Sequence, residues 1–427
     1  LVTDIGTDLF IGNDLIIGKA GKGSATIANG GAVEAKDVSI GEDTGSEANL
    51  TVTDSNSYLR ADGSLEVGVE GKGSVRIADG ALIEGNGVSI GLSTDSEGDL
   101  TVSGSNSKLN IGSGFTDGSD LFIENDLFIG NEGKGSATIA DGGLVQAKDV
   151  YIGKETDGKG DLTITGSNSK LSSEDLVIGM SGKGSTKISE GGLVKAKYAD
   201  IGKEKSSEGD LTVTDSNSKL SVDSDLTIGY SGKGSATIAD GASVEVEDVS
   251  IGRFTDGKGD LTVTGNNSKL SVNSDLIVGN AGKGSATIAN GGAVEALVIA
   301  VGRAEDGEGD FTVTGSDSRL SADNLVIGLE GKGTLNIIDN GLVAAKNVGR
   351  DNRSKSSVIN FDKGTLALSD PDWLAKLFNK FTADNTINLA SGGGTIDTNK
   401  FDITVYDDAR ITGSGNFTKA GTGKLTM

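Results

Sequence analysis

Residues 225–272 read DLTIGYSGKGSATIADGASVEVEDVSIGRFTDGKGDLTVTGNNSKLSV, and this stretch decides the fold of the chain. It consists of two related halves, each with three short segments in which apolar and polar residues alternate between glycine-rich or polar turns. In Leu261-Thr262-Val263-Thr264 the leucine and valine share one face of a strand and the threonines the other. β-Branched residues at period two and glycine every few residues argue against helices. The stretch therefore predicts an all-β chain with three short strands per turn of a parallel β-helix.

The same pattern recurs along most of the chain. The tetrapeptide Gly-Lys-Gly-Ser, which becomes Gly-Lys-Gly-Thr in its last copy, begins at Gly21, Gly71, Gly133, Gly182, Gly232, Gly282 and Gly331. Glycines that end the Asp-x-x-Ile-Gly segments divide each repeat of about 50 residues into half-repeats, mostly of 23 and 27 residues. One half-repeat makes one rung, adjacent rungs pair as parallel strands about 4.8 Å apart, and the crossover should be right-handed. Because no single rung buries its apolar side, we expect a rigid rod stabilised by stacking.

Two segments depart from the repeat and set the predicted boundaries. An insertion near residues 112–124 lengthens one repeat, and from about residue 350 the pattern ends. We expect a repetitive β-helix over residues 1–349, an irregular segment over 350–381 and a C-terminal β-helix segment over 382–427. In the irregular segment, Ser369-Asp370-Pro371 is typical of a helix N-terminus. It predicts one short amphipathic helix, whose apolar residues at helical spacing are Trp373, Leu374, Leu377, Phe378 and Phe381.

Composition excludes several classes of function. The 38 basic and 62 acidic residues give a net charge of −24, which argues against nucleic acid and anionic membrane surfaces as partners. The chain has neither cysteine nor histidine, so disulfides, Cys/His zinc sites and imidazole bases are ruled out. No apolar run approaches the roughly 20 residues of a membrane helix, so we expect no membrane insertion of this chain.

The C-terminal residues carry a family signature. Residues 411–426 read ITGSGNFTKAGTGKLT and resemble the passenger-associated transport repeat of bacterial autotransporters, whose pattern is roughly ISGSGGLTKxGxGxLT. The departures are Asn416 and Phe417. The matching motif positions are Gly413, Gly415, Lys419, Gly421, Gly423 and Leu425.

This resemblance implies a type V secretion passenger of a Gram-negative bacterium, extracellular at the bacterial cell surface and associated with virulence. Its own C-terminal outer-membrane barrel would be one partner, and we expect that barrel to lie outside this sequence. In the family the segment next to the barrel often templates the folding of the rest. Residues 382–427 would then form an autochaperone-like end.

The sequence evidence for a catalytic site or a metal site is weak. The Gly-Asp-Ser-Gly motif of proteolytic passengers is absent, and a Ser-His-Asp triad needs a histidine. Carboxylates recur at equivalent turns, as at Asp157 and Asp256, whereas a catalytic pair should be unique. Calcium suits carboxylates around glycine turns, yet the calcium-binding nonapeptide does not recur. We therefore expect no enzyme and no catalytic residue, and we expect solvated turns without a cofactor, with calcium as the alternative.

Two columns of polar residues follow the repeat. Outward threonines recur on the second strand, interrupted by Arg76, Lys187 and Asn336, and suit side-by-side association better than ice binding. Asparagines of the Ser-Asn-Ser turns should stack at a corner, hydrogen-bond along the axis and adopt left-handed geometry. They are Asn56, Asn106, Asn168, Asn217 and Asn267, with Asp317 in the last copy.

Three hypotheses for function remain open. The first is an adhesin that contacts a host cell-surface or matrix protein, or self-associates between cells, through multivalent weak contacts. In it, Trp373, Phe378 and Phe381 would be partner-binding anchors if exposed. The second is a passive stalk for a distal domain. The third is a polysaccharide-acting β-helix enzyme, which predicts one groove of converging carboxylates without repeat equivalents.

Overall fold

A computed structural model describes residues 1–112, 125–349, 353–369, 376–378, 386–405 and 410–427. The described chain is an all-β parallel β-solenoid. Its contacts divide it into two compact units. The first comprises Leu1–Leu211 and Asn217–Ser221, and the second Thr212–Ser216 and Val222–Met427. Glu208–Val213 and Lys219–Ile228 are strands with residues in both units.

In each unit a rung contributes one strand to a first sheet, here sheet A, and two strands, sometimes fused, to a second, sheet B. The sheet A strands of the first unit are Val2–Thr3, Lys22–Ala28, Glu47–Val52, Lys72–Ala78, Glu97–Ser103, Lys134–Ala140, Lys159–Thr165 and Lys183–Ser189. Its sheet B strands are Asp8–Ile11, Leu15–Ile17, Ala32–Ala35, Val38–Ile40, Tyr58–Val67, Leu82–Ile90, Lys108–Ile111, Asp126–Ile129, Leu144–Gln146, Asp149–Ile152, Lys170–Ser172, Asp175–Ile178, Leu193–Ala196 and Tyr198–Ile201.

The second unit repeats this arrangement and adds a small third sheet. Its sheet A strands are Lys233–Ala239, Lys258–Thr264, Lys283–Ala289, Glu308–Thr314, Lys332–Ile338, Ser356–Asp362, Thr386–Leu389 and Ile411–Gly413. Its sheet B strands are Ser243–Ile251, Lys269–Val272, Asp275–Val278, Ala293–Val301, Arg319–Ile327, Leu342–Gly349, Gly364–Leu368, Gly394–Asp397 and Phe417–Ala420. The third sheet contains Lys376–Leu377, Ile403–Val405 and Leu425–Thr426.

Stacking in register builds the core of each unit from columns of inward side chains. In sheet A of the second unit one such column alternates small and large residues. Its members are Ala236, Leu261, Ala286 and Phe311, all at most 3% exposed. Alternation follows from the two half-repeats, which place alanine in one rung and leucine in the next, so large side chains fill the space that alanines leave.

Glycine at the end of each Asp-x-x-Ile-Gly segment is required by the corner. Gly252 has φ of +65°, and a Cβ atom built there would lie 2.3 Å from the carbonyl oxygen of Lys283 in the next rung. Any other residue would be strained by its backbone and would also clash with backbone. The corner therefore explains why this glycine recurs at every half-repeat.

The predicted three-strand rung and parallel β-helix are confirmed, but the helix is wrong where it can be assessed. Lys376–Leu377 is a strand that pairs in parallel with Thr404 and Val405, and Phe378 has φ of +58°, which no right-handed helix contains. Pairing and burial at this position override the helical spacing. The rest of the predicted helix lies outside the described residues, as does all of the predicted insertion except Gly112.

Candidate functional site

The outward face of sheet A presents the same side chains in successive rungs. In the second unit Thr237, Thr262, Thr287 and Thr312 are register partners, each half-buried. In the first unit Thr138 and Thr163 stand side by side in the same way, with Lys187 next to them. The predicted threonine column is thus present within each unit as a regular, partly exposed row.

A second outward column on sheet A is charged. Lys258, Lys283, Glu308 and Lys332 occupy successive rungs of the second unit. The Glu308 carboxylate accepts from Lys283 at 2.9 Å and from Lys332 at 3.0 Å. These two hydrogen bonds and the charges of both ammonium groups lower the pKa of Glu308 to about 2. Both columns run along one face, so any partner of sheet A meets threonines beside a column of charged side chains.

The threonine row of the second unit continues as an asparagine ladder. Asn336 Nδ2 donates to Thr312 Oγ1 at 3.1 Å, Asn360 Nδ2 to Asn336 Oδ1 at 2.8 Å and Asn388 Nδ2 to Asn360 Oδ1 at 3.0 Å. Thr412 Oγ1 then donates to Asn388 Oδ1 at 3.1 Å. Asn336, noted in the sequence only as an interruption of the threonines, is thus the start of a hydrogen-bonded chain along the solenoid axis.

The Ser-Asn-Ser corners adopt the predicted backbone, but serine rather than asparagine makes their rung-to-rung hydrogen bonds. Asn267 has φ of +66° and is exposed, and its equivalents in the other repeats have similar φ values. Ser268 is fully buried, and its Oγ accepts the backbone N–H of Gly241 from the neighbouring rung at 3.0 Å. The same bond recurs at Gly30–Ser57, Gly80–Ser107, Gly142–Ser169, Gly191–Ser218 and Gly291–Ser318. Sequence reasoning missed these serines, although each directly follows its asparagine or aspartate.

The predicted partner-binding aromatics do not form an exposed anchor where the structure describes them. Phe378 is 0% exposed, which removes its ring from any surface. Trp373 and Phe381 lie outside the described residues. The sequence singled out Phe378 for its helical spacing, and the strand of Lys376–Leu377 turns it inward instead.

The motif at the C-terminus forms one complete rung. Ile411–Gly413 lies in sheet A, Phe417–Ala420 in sheet B and Leu425–Thr426 in the third sheet. Motif glycines Gly413, Gly415, Gly421 and Gly423 pack against the preceding rung, where a Cβ atom would clash with backbone in each case. The Lys419 ammonium donates to the carbonyl oxygen of Gly421 at 2.7 Å, and Leu425 is half-buried opposite Ile403. The motif residues therefore have packing roles at this end of the second unit.

A groove on sheet B of the second unit was not predicted. It encloses about 190 Å³. Its floor is formed by Val249, Ser250 and Ile277. Carboxylates that precede the floor residues line one side, and side chains that follow them line the other. The first set is Asp225, Asp248 and Asp275, and the second is Arg253, Asn280 and Arg303.

Aromatic rings hold one guanidinium of this groove. The rings of Tyr230 and Phe254 have centroids 4.8 Å apart, and the Arg253 guanidinium carbon lies 5.2 Å from the first and 5.8 Å from the second. Arg253 also donates to Thr227 Oγ1 at 3.3 Å. The second residue after the glycine of each Asp-x-x-Ile-Gly segment is acidic in most other rungs, as at Asp43, Glu155 and Glu204. In the four successive rungs here, this position is occupied by Ser231, Phe254, Ala281 and Ala304. That change of residue type was the available sequence signal.

Among the residues that the structure describes, no group of three or more Asp or Glu side chains is placed to hold a metal ion. The same residues contain no helix long and apolar enough to cross a membrane.

Comparison with known proteins gives little further information on the family of this chain. No family model matches the sequence, and no curated protein matches it. Among solved structures, the chain is similar to a TibC-catalyzed hyper-glycosylated TibA55-350 fragment, with 15% identity and a TM-score of 0.40 over 95% of this chain and 100% of that chain. No family assignment follows from these comparisons.

Proposed function

We propose that this chain is an adhesive passenger displayed on the surface of a Gram-negative bacterium, where it contacts host surfaces or sister cells. The observation that carries the proposal is the repetition of outward side chains on sheet A. Thr237, Thr262, Thr287 and Thr312 occupy successive rungs in register. A surface of this kind offers the same contact many times at a spacing of about 4.8 Å.

Repetition makes weak contacts sufficient for adhesion. When one rung contacts a partner, the next identical contact becomes intramolecular and benefits from a high effective concentration. Threonine suits this role because it presents both a methyl and a hydroxyl group on a stiff strand. The neighbouring column, with Glu308 between Lys283 and Lys332, adds charges that fix the relative orientation of two such faces.

The assignment as a passenger is supported by the C-terminal end of the second unit. Its transport-repeat-like residues form a full rung, with strands in all three sheets. Surface display is part of the proposal and follows from this resemblance.

The test is display of the chain on a non-adherent bacterium, with clumping of cells scored separately from attachment to host cells and matrix. The double variant Thr262→Lys and Thr287→Lys adds two charges to the sheet A face. Lysine is compatible with this position because Lys187 occupies it in the first unit, opposite Thr163. We expect the variant to lose most clumping or attachment, since like charges on facing rows repel.

A control adds a lysine to the other sheet, with one added charge where the double variant has two. Ser271→Lys lies on the outward side of sheet B; its equivalent in the first unit is Ser172, whose register partner in the next rung is Lys195. This variant should adhere like the parent chain. If the parent chain produces neither clumping nor attachment, the adhesive proposal fails and a passive stalk is the better account.

A further inference from the structure

We infer that the groove of the second unit binds a neutral, hydroxyl-rich saccharide. One side of this groove is lined by Asp225, Asp248 and Asp275, and the other by Arg253, Asn280 and Arg303. The site is distinct from the sheet A face, and only its use in adhesion rests on the proposed function. Its volume of about 190 Å³ is below the roughly 300–1,000 Å³ of clefts for drug-sized ligands, which suits a single sugar unit of a longer chain.

The charges of the groove select the ligand. Three carboxylates face two guanidinium groups across the floor, and within the described chain no ion pair joins Arg253 or Arg303 to these aspartates. An anionic ligand would meet the carboxylates, and a cationic ligand the guanidinium groups. Hydroxyl groups satisfy both sides, because each donates to a carboxylate and accepts from a guanidinium or amide N–H.

A peptide is a poorer fit for the same groove. Extended peptides bind sheets by adding a strand at an unpaired edge. The floor strand Asp275–Val278 is paired on both sides, with Val249–Ile251 on one and Val298–Val301 on the other. Its backbone groups are therefore already used, and recognition must come from side chains.

The aromatic pair prepares the groove for binding. Tyr230 and Phe254 pack beside the Arg253 guanidinium, which reduces the conformational freedom that Arg253 would lose on binding. Phe254 keeps 45% of its surface exposed beside that guanidinium.

The first unit supplies an internal comparison. In the segments that correspond to residues 225–229 and 248–252, Phe128 and Tyr151 stand where the second unit has Thr227 and the floor residue Ser250. Their rings stack with centroids 5.5 Å apart, and Lys154 Nζ lies 3.8 Å from the Phe128 centroid. Aromatic side chains thus occupy the equivalent position in these rungs, whereas Ser250 is small and its Oγ accepts a hydrogen bond from Asn280 Nδ2 at 3.2 Å.

The experiment is an NMR titration of the whole chain, labelled with nitrogen-15, in which the Arg253 and Arg303 Nε–H signals and the Ser250 amide are followed. The probes are neutral disaccharides of glucose, galactose, mannose and N-acetylglucosamine, with N-acetylneuraminic acid, glucosamine and a Lys-Gly-Glu tripeptide as comparisons. We expect saturable shifts with at least one neutral disaccharide, at an affinity in about the millimolar range given the small contact area. The charged probes should give no saturable shift.

Two variants keep the inference testable. Ser250→Tyr fills the floor with the residue found at the equivalent position 151, and Arg303→Ala removes an exposed guanidinium without disturbing the core. Both should weaken disaccharide binding by about ten-fold or more. Ser89→Tyr makes the same change at the same repeat position of the first unit and should leave binding unchanged.

Several outcomes would overturn the inference. They are the absence of shifts with every neutral disaccharide, saturable binding of only a charged probe or the tripeptide, and unchanged binding by a folded Ser250→Tyr chain.

Cell display separates this result from the adhesive proposal. If Ser250→Tyr loses saccharide binding while cells still clump or attach, the groove is a saccharide site and adhesion depends on another surface. If the parent chain binds saccharide but mediates no adhesion, the adhesive proposal fails alone.

Discussion

The hydroxyl oxygen of Ser268 accepts the backbone N–H of Gly241 from the neighbouring rung at 3.0 Å, inside a corner where Ser268 has no exposed surface. Because the bond recurs at the other Ser-Asn-Ser corners, it acts as a rung-to-rung clamp at every second rung. A buried N–H without an acceptor costs about 1–3 kcal/mol. The clamp therefore contributes to the stacking on which each unit depends.

Ser268→Ala should make the Gly241 amide exchange with solvent faster, by an amount equivalent to about 1–3 kcal/mol of local opening free energy. Native-state hydrogen exchange measures this directly. The Gly291 amide, which is bonded to Ser318 in the same unit, is the internal reference and should exchange as before. Equal exchange of Gly241 in parent and variant would show that the serine is not its acceptor.

Thr186→Val should stabilise the first unit. Thr186 occupies the inward column of sheet A opposite Leu162, where other rungs have residues such as Ala137, and it is 1% exposed. Its Oγ1 has no hydrogen-bond partner among the described residues. Replacing an unpaired buried hydroxyl by a methyl group of similar shape removes a desolvation penalty, so we expect a gain of about 1 kcal/mol in denaturant unfolding. Thr163→Val, on the outward face, is the control and should change stability by less than about 0.5 kcal/mol.

The rung was predictable from sequence because its signals are local. Alternation in Leu261-Thr262-Val263-Thr264 indicates a strand with one apolar face, and the glycine at Gly252 indicates a corner. Both features are determined by the residues of the segment itself. The helix over Trp373 to Phe381 was wrong at Phe378 because its signal, the spacing of apolar residues, says nothing about available pairing partners. Ile403–Val405 supplies such a partner to Lys376–Leu377, and strand pairing prevails.

The candidate sites were predictable only in part, for a related reason. The threonine column follows directly from the repeat, and the left-handed asparagines follow from turn chemistry. The burial of Ser268 depends on how the next rung covers the corner, which a polar turn does not reveal. The groove depends on Ser250 being small while Tyr151 at the equivalent position is large, so it appears only when rungs are compared across the fold.

Asn360→Asp should weaken the asparagine ladder in a pH-dependent way. Asn360 donates to Asn336 and accepts from Asn388, and a carboxylate can accept but cannot donate. The ionised variant therefore leaves Asn336 Oδ1 facing a negative charge, and we expect a loss of about 1–3 kcal/mol at neutral pH. Protonation of the introduced carboxyl restores a donor, so the deficit should be smallest at acidic pH and should grow as the pH rises through the pKa of that carboxyl.

Asn360→Thr is the matched comparison for this prediction. Threonine carries a hydroxyl that both donates and accepts, and Thr312 and Thr412 already flank the ladder. Its effect should be smaller than that of aspartate and should not vary between acidic and neutral pH. Urea unfolding at two pH values distinguishes the two variants, and equal losses in both would argue against a hydrogen-bonded ladder.

Glu308 should titrate well below an ordinary glutamate, because Lys283 and Lys332 donate to it from both neighbouring rungs. Its pKa is lowered from the usual 4.5 to about 2. Since the folded-state pKa is depressed, the stabilisation from this carboxylate is fully present above pH 4.5 and is lost as the pH falls through about 2. Carbon-13 NMR of the Glu308 carboxyl group measures the titration.

Lys332→Ala should raise this pKa toward 4.5, and added salt should do the same because the group is exposed. Lys258→Ala changes a lysine of the same column two rungs away from Glu308, so it should leave the titration nearly unchanged. A Glu308 pKa near 4.5 in the parent chain would mean that the column is a row of solvated charges rather than a bonded ladder.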